Sequence, residues 1–129
     1  MNKLKLLMVI GVISIMQLLF WTAAFAKPVM KDLGTLGGNN TTVVAVNDIG
    51  QVIGYSDTAN GKEHGFVWED GKITDLGTLG GYYSRALAIN NKGQIIGYST
   101  LANREIHGFI WENGKMKDLG TLGGDSSFP

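Results

Sequence analysis

The 129-residue chain has no cysteine, two prolines and no excess of either charge, with 11 basic and 11 acidic residues. Without cysteine it has no disulfide framework, thiol nucleophile, iron–sulfur cluster or lipid-modified cysteine. Zero net charge and the lack of a basic run exclude the usual nucleic-acid-binding surface. What is abundant is glycine, with 19 copies and no three-residue period, which indicates many tight turns in one small all-β domain.

The N-terminal segment, residues 1–26, has the layout of a secretory signal peptide. Two lysines precede an apolar run, and Ala24 and Ala26 occupy the two small-residue positions at which such signals are cleaved. We therefore predict a mature chain that begins at Lys27 and is secreted or periplasmic. The alternative is an uncleaved anchor, because residues 6–26 are long enough to span a bilayer. An uncleaved anchor of this kind is the only way in which we expect the chain to contact a membrane.

The rest of the chain, residues 27–129, is an internal repeat. The motif Asp-Leu-Gly-Thr-Leu-Gly-Gly recurs with a spacing of 43 residues, at 32–38, 75–81 and 118–124. Residues 32–74 align with 75–117 without a gap and share 24 identities in 43 positions. Self-similarity at such a period is typical of propellers and stacked repeats. We predict two full repeats, 32–74 and 75–117, followed by a partial third, 118–129.

Turn signals divide each repeat into about four short antiparallel strands. Asp70-Gly71 and its counterpart Asn113-Gly114 are strong signals for two-residue hairpins. A three-residue loop that ends in Gly50 or Gly93 predicts a second hairpin, whose first strand we expect to begin at residue 43 or 86. The mature chain is therefore predicted to be all-β.

These first strands also indicate how the repeats pack. Residues 43–46 and 86–89 are apolar on both sides of the pleat, so we expect both faces to be covered. Stacked sheets provide that cover, either as propeller-like blades or as an open stack. A closed propeller needs about four to eight blades, so several chains, an open stack or a longer array are the alternatives. An open end favours self-association.

The repeat motifs resemble the HAF family of extracellular repeat proteins, named after a His-Ala-Phe signature. The matching segments are His64-Gly65-Phe66-Val67-Trp68 and His107-Gly108-Phe109-Ile110-Trp111, in which glycine replaces the central alanine. Asp-Leu-Gly-Thr-Leu-Gly-Gly and Ala-x-Asn-x-x-Gly-Gln-x-x-Gly-Tyr-Ser also match. The resemblance implies an exported bacterial protein of propeller-like character, and it implies no particular activity.

Two residue types with catalytic or metal-binding chemistry occur once per repeat. His64 and His107 are the two histidines, and Asp32, Asp75 and Asp118 open the glycine-rich motif. A catalytic base, a metal ligand or a calcium site is one interpretation. We favour structural roles, in which the imidazole bonds a nearby polar group and the aspartate accepts backbone N–H bonds, because an active site is normally built once. We predict no catalytic, metal-binding or cofactor-binding residue.

Aromatic residues also alternate on one strand of each repeat. Phe66 and Trp68 have their counterparts in Phe109 and Trp111. Such a row is either a platform for sugar stacking or part of the core, and recurrence at a strand centre favours the core.

A contact surface is expected where the repeats differ. Residues 39–42 are Asn-Asn-Thr-Thr, and the equivalent residues 82–85 are Tyr-Tyr-Ser-Arg. We predict that both segments are loops and that Tyr82, Tyr83, Arg85 and Arg104 form a candidate contact surface. Drift in unimportant loops is the alternative.

Three functional hypotheses follow. The first is an exported, non-enzymatic binding module that contacts a glycan, a surface protein or its own copies. The second is an extracytoplasmic hydrolase that uses repeat-borne acids such as Asp75 and Asp118. The third is a truncated fragment of a longer repeat array.

Overall fold

A computed structural model of the chain describes residues 28–127 and 129. The predicted signal peptide and its cleavage residues Ala24, Ala26 and Lys27 lie outside this range. Leu33–Pro129 form one compact unit. The described residues contain strands and no helix, which confirms the all-β prediction. The strands are β1 (Gly37–Val46), β2 (Val52–Thr58), β3 (Glu63–Glu69), β4 (Lys72–Gly77), β5 (Gly80–Ile89), β6 (Ile95–Leu101), β7 (Ile106–Glu112) and β8 (Lys115–Gly120).

The strands form two antiparallel meanders, β1–β4 and β5–β8, within one eight-stranded sheet that is not closed. A parallel bridge between Glu63 of β3 and Tyr83 of β5 joins the meanders. Each antiparallel pairing has a counterpart 43 residues later, as Gly54 with Phe66 corresponds to Gly97 with Phe109. The two meanders therefore share one register.

The hairpin turns have the backbone conformations that their sequences favour. Asp70 and Asn113 have φ angles of 49° and 52°, and the glycine after each is also at positive φ. A two-residue type I′ turn requires that pair of conformations. Gly50 and Gly93 end the three-residue loops at 85° and 79°, where glycine has no steric penalty. The turn predictions are confirmed.

The first strand of each meander begins earlier than predicted. The expected starts at residues 43 and 86 are wrong, because β1 begins at Gly37 and β5 at Gly80. In β5 the pairing with β6 is irregular between Gly80 and Ser84. The chain passes so close to β6 there that a Cβ on Gly81 would lie 2.2 Å from Thr100 Oγ1. The glycine pair thus lets an irregular strand approach its neighbour, whereas such a pair by sequence suggests a turn.

The core takes side chains from both meanders. Its buried members are Ile53, Val67 and Leu76 from the first and Ala86, Ile95 and Phe109 from the second. Full burial of a large apolar side chain contributes about 1.5–3 kcal/mol relative to exposure. This shared cluster is the apolar contact that holds the two meanders together.

The prediction that residues 43–46 and 86–89 are covered on both faces is wrong. In the second segment Ala86 is buried, but Leu87 and Ala88 are exposed. Val43 and Val46 are 54% and 63% exposed, whereas Ala86, the counterpart of Val43, is fully buried. The difference arises because β5 packs against the first meander, while β1 is the terminal strand in the order of the sheet. None of the described residues belongs to a helix long and apolar enough to cross a membrane.

Candidate functional site

The segment that distinguishes the second repeat, residues 82–85, lies within strand β5. The prediction of a loop here is wrong, as it is for residues 39–42 of β1. Tyr83 is fixed by its backbone, since its N–H donates to Thr100 Oγ1 at 3.1 Å and its carbonyl accepts from the same hydroxyl at 3.2 Å. Candidate contact residues therefore stand on a rigid strand, which favours a preformed site.

Ser84, which is buried and follows the two tyrosines in β5, ties this strand to the first meander. Its Oγ accepts from Gly65 N–H at 2.9 Å and donates to the Gly77 carbonyl at 2.5 Å. The bond with Gly65 is buried, and an unpaired polar group there would cost about 1–3 kcal/mol. Ser84 thus holds β5 in place, while the neighbouring Tyr82 remains 69% exposed.

Tyr82 and Tyr83 form the wall shared by two shallow open clefts. The first, of about 280 Å³, also contains Lys62, Glu63 and Arg85. The second, of about 440 Å³, is completed by Thr100, Leu101 and Arg104. The structure therefore brings all four predicted contact residues, Tyr82, Tyr83, Arg85 and Arg104, to one surface. We refer to the pair as the tyrosine clefts.

The charges in the tyrosine clefts are unequally compensated. Arg85 Nε lies 2.5 Å from Glu63 Oε1, and the guanidinium carbon lies 4.4 Å from the centre of the Tyr55 ring. The hydrogen bond with Glu63 raises the pKa of Arg85 above its usual value, although partial burial opposes that shift. Lys62 Nζ lies 5.5 Å from the centre of the Tyr82 ring. With Glu63 engaged by Arg85, Lys62 and Arg104 give the clefts a positive character.

Arg104 has a backbone conformation that is unfavourable for arginine. Its φ is 74°, and its counterpart in the first repeat is Gly61 at 77°. The left-handed region costs a residue with a Cβ about 1–2 kcal/mol. Strain of this kind is concentrated at functional sites. An arginine at a position that suits glycine therefore supports a role for its side chain.

The predicted contact surface omits three residues that lie around the clefts, Lys62, Glu63 and Tyr55. Lys62 and Glu63 lie in a second segment in which the repeats differ, since Glu105 and Ile106 replace them in the second copy. This difference between the repeats is a sequence signal that would place both residues in the contact surface. Tyr55 gives no such signal, because the equivalent residue is also tyrosine.

Each histidine lies beside an aspartate of its own meander, and that aspartate opens the next sequence repeat. His64 Nδ1 is 2.9 Å from both carboxylate oxygens of Asp75, and His107 Nδ1 is 2.8 Å and 2.9 Å from those of Asp118. The aspartates also accept backbone N–H bonds, at 2.7 Å from Gly77 and 2.6 Å from Gly120. The pairs thus fasten β4 to β3 and β8 to β7. Asp32, the third aspartate of this type, lies outside the compact unit.

Burial and hydrogen bonding act in opposite directions on Asp118. Burial raises its pKa, whereas the N–H of Gly120 and the imidazole of His107 lower it, and the net pKa is below the usual 3.8. In the other pair, His64 Nε2 is buried without a hydrogen-bond partner in the described structure. His107 Nε2 instead lies 3.5 Å from Glu105. The two pairs therefore differ in what surrounds the second ring nitrogen.

The recurring aromatic residues lie mainly in the interior. Phe66 and Phe109 are fully buried, Trp68 is buried and Trp111 is half-buried. They do not form an exposed stacking platform, and among the described residues the exposed aromatic side chain is Tyr82 of the tyrosine clefts. Among the described residues, no group of three or more His, Cys, Asp or Glu side chains is placed to hold a metal ion.

Comparison of the chain with protein-family models, with curated proteins and with solved structures finds no significant match. The repeat motifs therefore remain the basis of the resemblance to the HAF family.

Proposed function

We propose that this chain is an exported, non-enzymatic binding module that holds an acidic glycan in the tyrosine clefts. The observation that carries the proposal is the convergence of Tyr82, Tyr83, Arg85 and Arg104, which differ from their counterparts in the first repeat, on one surface. A surface shaped by the positions that vary between repeats suits recognition, since the shared positions maintain the fold.

The chemistry of the clefts favours a saccharide that carries carboxylates. The ring of exposed Tyr82 offers an apolar face and a hydroxyl at low conformational cost. Lys62 supplies a cation beside this ring, and the guanidinium of Arg104 suits bidentate bonds to a carboxylate. Aromatic faces with nearby cations therefore match an acidic sugar better than a neutral one.

We further propose that the two meanders are consecutive blade-like repeats, as the HAF resemblance implies. Support comes from bonds between equivalent loops 43 residues apart, including Asp48 N–H to Asn91 Oδ1 at 2.9 Å. The shared register and the core between the meanders agree with stacking of one repeat on the next. Export to the periplasm or the cell exterior, through the predicted signal peptide, places the clefts where glycans occur.

Binding is favoured over the hydrolase alternative. Asp75 and Asp118 each bond a histidine and a backbone N–H of their own meander, which gives both carboxylates a role in fastening strands. Neither aspartate lines the tyrosine clefts.

The test is calorimetric titration of the purified chain with oligogalacturonate, a uronic acid polymer, and with neutral maltooligosaccharides. We expect binding of the acidic ligand alone. Tyr82→Ala should weaken it by roughly 2- to 13-fold, which corresponds to an aromatic contact of about 0.5–1.5 kcal/mol. Asn39→Ala, at the equivalent exposed position of the first repeat, is the matched control and should leave affinity unchanged. Equal binding of both ligand types, or no effect of Tyr82→Ala, would contradict the proposal.

A further inference from the structure

Three contacts join the two meanders, and each can be compared with the equivalent residues 43 positions away. A parallel bridge joins Glu63 to Tyr83. The Oγ of Ser84 accepts from Gly65 N–H. In addition, the loops between the first and second strands bond each other, with Asn91 Nδ2 donating to Asp48 Oδ2 at 2.8 Å. Together these contacts define a front face on β5 and a back face on β2 and β3.

The same back face recurs on β6 and β7, and the chain itself shows that it accepts a strand. Ser126 makes a parallel bridge with Ile106, which corresponds to the bridge between Tyr83 and Glu63. The Oγ of Ser127 accepts from Gly108 N–H at 2.9 Å and donates to the Gly120 carbonyl at 2.7 Å, as Ser84 does one repeat earlier. Ser126 and Ser127 thus make the same contacts on β7 that the ten-residue strand β5 makes on the first meander.

The matching front face is present on β1. Thr41 Oγ1 donates to the Gly34 carbonyl at 3.1 Å, as Ser84 does to Gly77 and Ser127 to Gly120. Val43 and Val46 lie exposed at the positions where β5 has buried Ala86 and half-buried Ile89. The strand therefore carries both the hydroxyl and the apolar side chains of a docking strand.

We propose that β1 of a second copy of this chain docks on the β6–β7 face of the first, in the register that β5 adopts on the first meander. Thr41 of the second copy replaces Ser127 as the acceptor for Gly108 N–H, and Val43 and Val46 become buried. The loops are also compatible with this register, because the carboxylate of Asp48 in the second copy can accept hydrogen bonds from the backbone N–H and the side-chain amide of Asn91 in the first.

A second copy is favoured over a foreign protein because the two faces of one chain match each other position by position. The contact joins different surfaces of the two copies, so it is heterologous, and repeating it forms a ring or a filament. The association described here does not depend on the tyrosine clefts, since those clefts are lined by none of the residues that carry it: Thr41, Val43, Val46, Asp48, Asn91 and Gly108.

The test is light scattering after gel filtration of the purified full chain over a range of concentrations. We expect association that Val43→Asp/Val46→Asp weakens at least about tenfold, because two exposed valines lose their burial. Val29→Asp changes another exposed valine outside the compact unit and serves as the matched control. Both substituted valines of β1 are exposed, so the double variant should remain folded by circular dichroism.

A mixing experiment tests the heterologous geometry. Gly108→Val blocks the β7 face with added bulk, and the double valine variant blocks β1, so each variant alone should remain a monomer. Mixed together, they should form a heterodimer through the intact β1 of one and the intact β7 face of the other. A chain that stays monomeric at every concentration, association unaffected by the valine substitutions, or a mixture that forms no heterodimer would overturn the proposal.

Discussion

Two glycines at equivalent positions of the repeat provide a direct measure of the packing between the meanders. A Cβ on Gly65 would lie 3.1 Å from Ala86 N and 3.3 Å from Leu76 Cδ1. The nearest atom to a Cβ on Gly108 would be Ser127 Oγ, at 3.6 Å. Both distances at Gly65 are shorter than an ordinary contact of about 3.5–4.0 Å, whereas the distance at Gly108 is within that range. We therefore expect Gly65→Ala to destabilise the protein and Gly108→Ala to be tolerated.

The magnitude follows from two opposing contributions. Neither glycine has a positive φ, so alanine at either site reduces the entropy of the unfolded chain and adds about 0.4–1 kcal/mol of stability. At Gly65 the new methyl group also presses on backbone, and overpacking of this kind costs about 1–3 kcal/mol. The entropic gain is common to both variants, so their free energies of unfolding should differ by about 1–3 kcal/mol.

The assay is urea denaturation followed by tryptophan fluorescence, at a concentration where light scattering gives a monomer. Trp68 is buried and Trp111 half-buried in their strands, so unfolding should change their emission. In thermal scans the difference corresponds to at least about 4 °C in the midpoint. Equal midpoints for the two variants, or a larger loss for Gly108→Ala, would refute the close approach of β3 to β5.

Two further predictions concern strain and charge. Arg104→Gly should raise the free energy of unfolding by up to about 1 kcal/mol, because glycine tolerates the left-handed backbone. The same variant should bind oligogalacturonate more weakly in calorimetry. A variant less stable than the wild-type protein would show that side-chain contacts of Arg104 outweigh the strain. Asp118 has a lowered pKa in the folded chain, so its contribution to stability is present above the usual pKa of 3.8 and is lost as the pH falls through the folded value. The stability difference between the wild-type protein and Asp118→Asn should accordingly be larger at pH 7 than at pH 2.5 in urea titrations, and a difference independent of pH would contradict this linkage.

The turns and the repeat register could be predicted from the sequence because their causes are local. Asp70-Gly71 and Asn113-Gly114 favour one turn type, and the loops ending in Gly50 and Gly93 need positive φ at the glycine. The start of β5 could not be predicted in this way. Gly80 and Gly81 suggest a turn by composition, whereas their place in a strand depends on the close approach of Thr100 from β6.

The tyrosine clefts were predictable in part. The difference between residues 39–42 and 82–85 identified Tyr82, Tyr83 and Arg85, but their placement in a loop was wrong because the pairing of β5 with β6 extends to Gly80. The engagement of Arg85 by Glu63 joins residues from β5 and β3, which are brought together by the packing of the meanders.

The sequence by itself determined the strand class, the 43-residue period and the turn geometry, since these depend on residue chemistry over short distances. Only the tertiary structure decided which apolar strand is covered. Val43 and Ala86 occupy equivalent positions in apolar segments, yet one is exposed and the other fully buried. The physical reason is that burial depends on what packs against a strand, and a periodic sequence gives each repeat the same pattern whether or not a neighbour covers it.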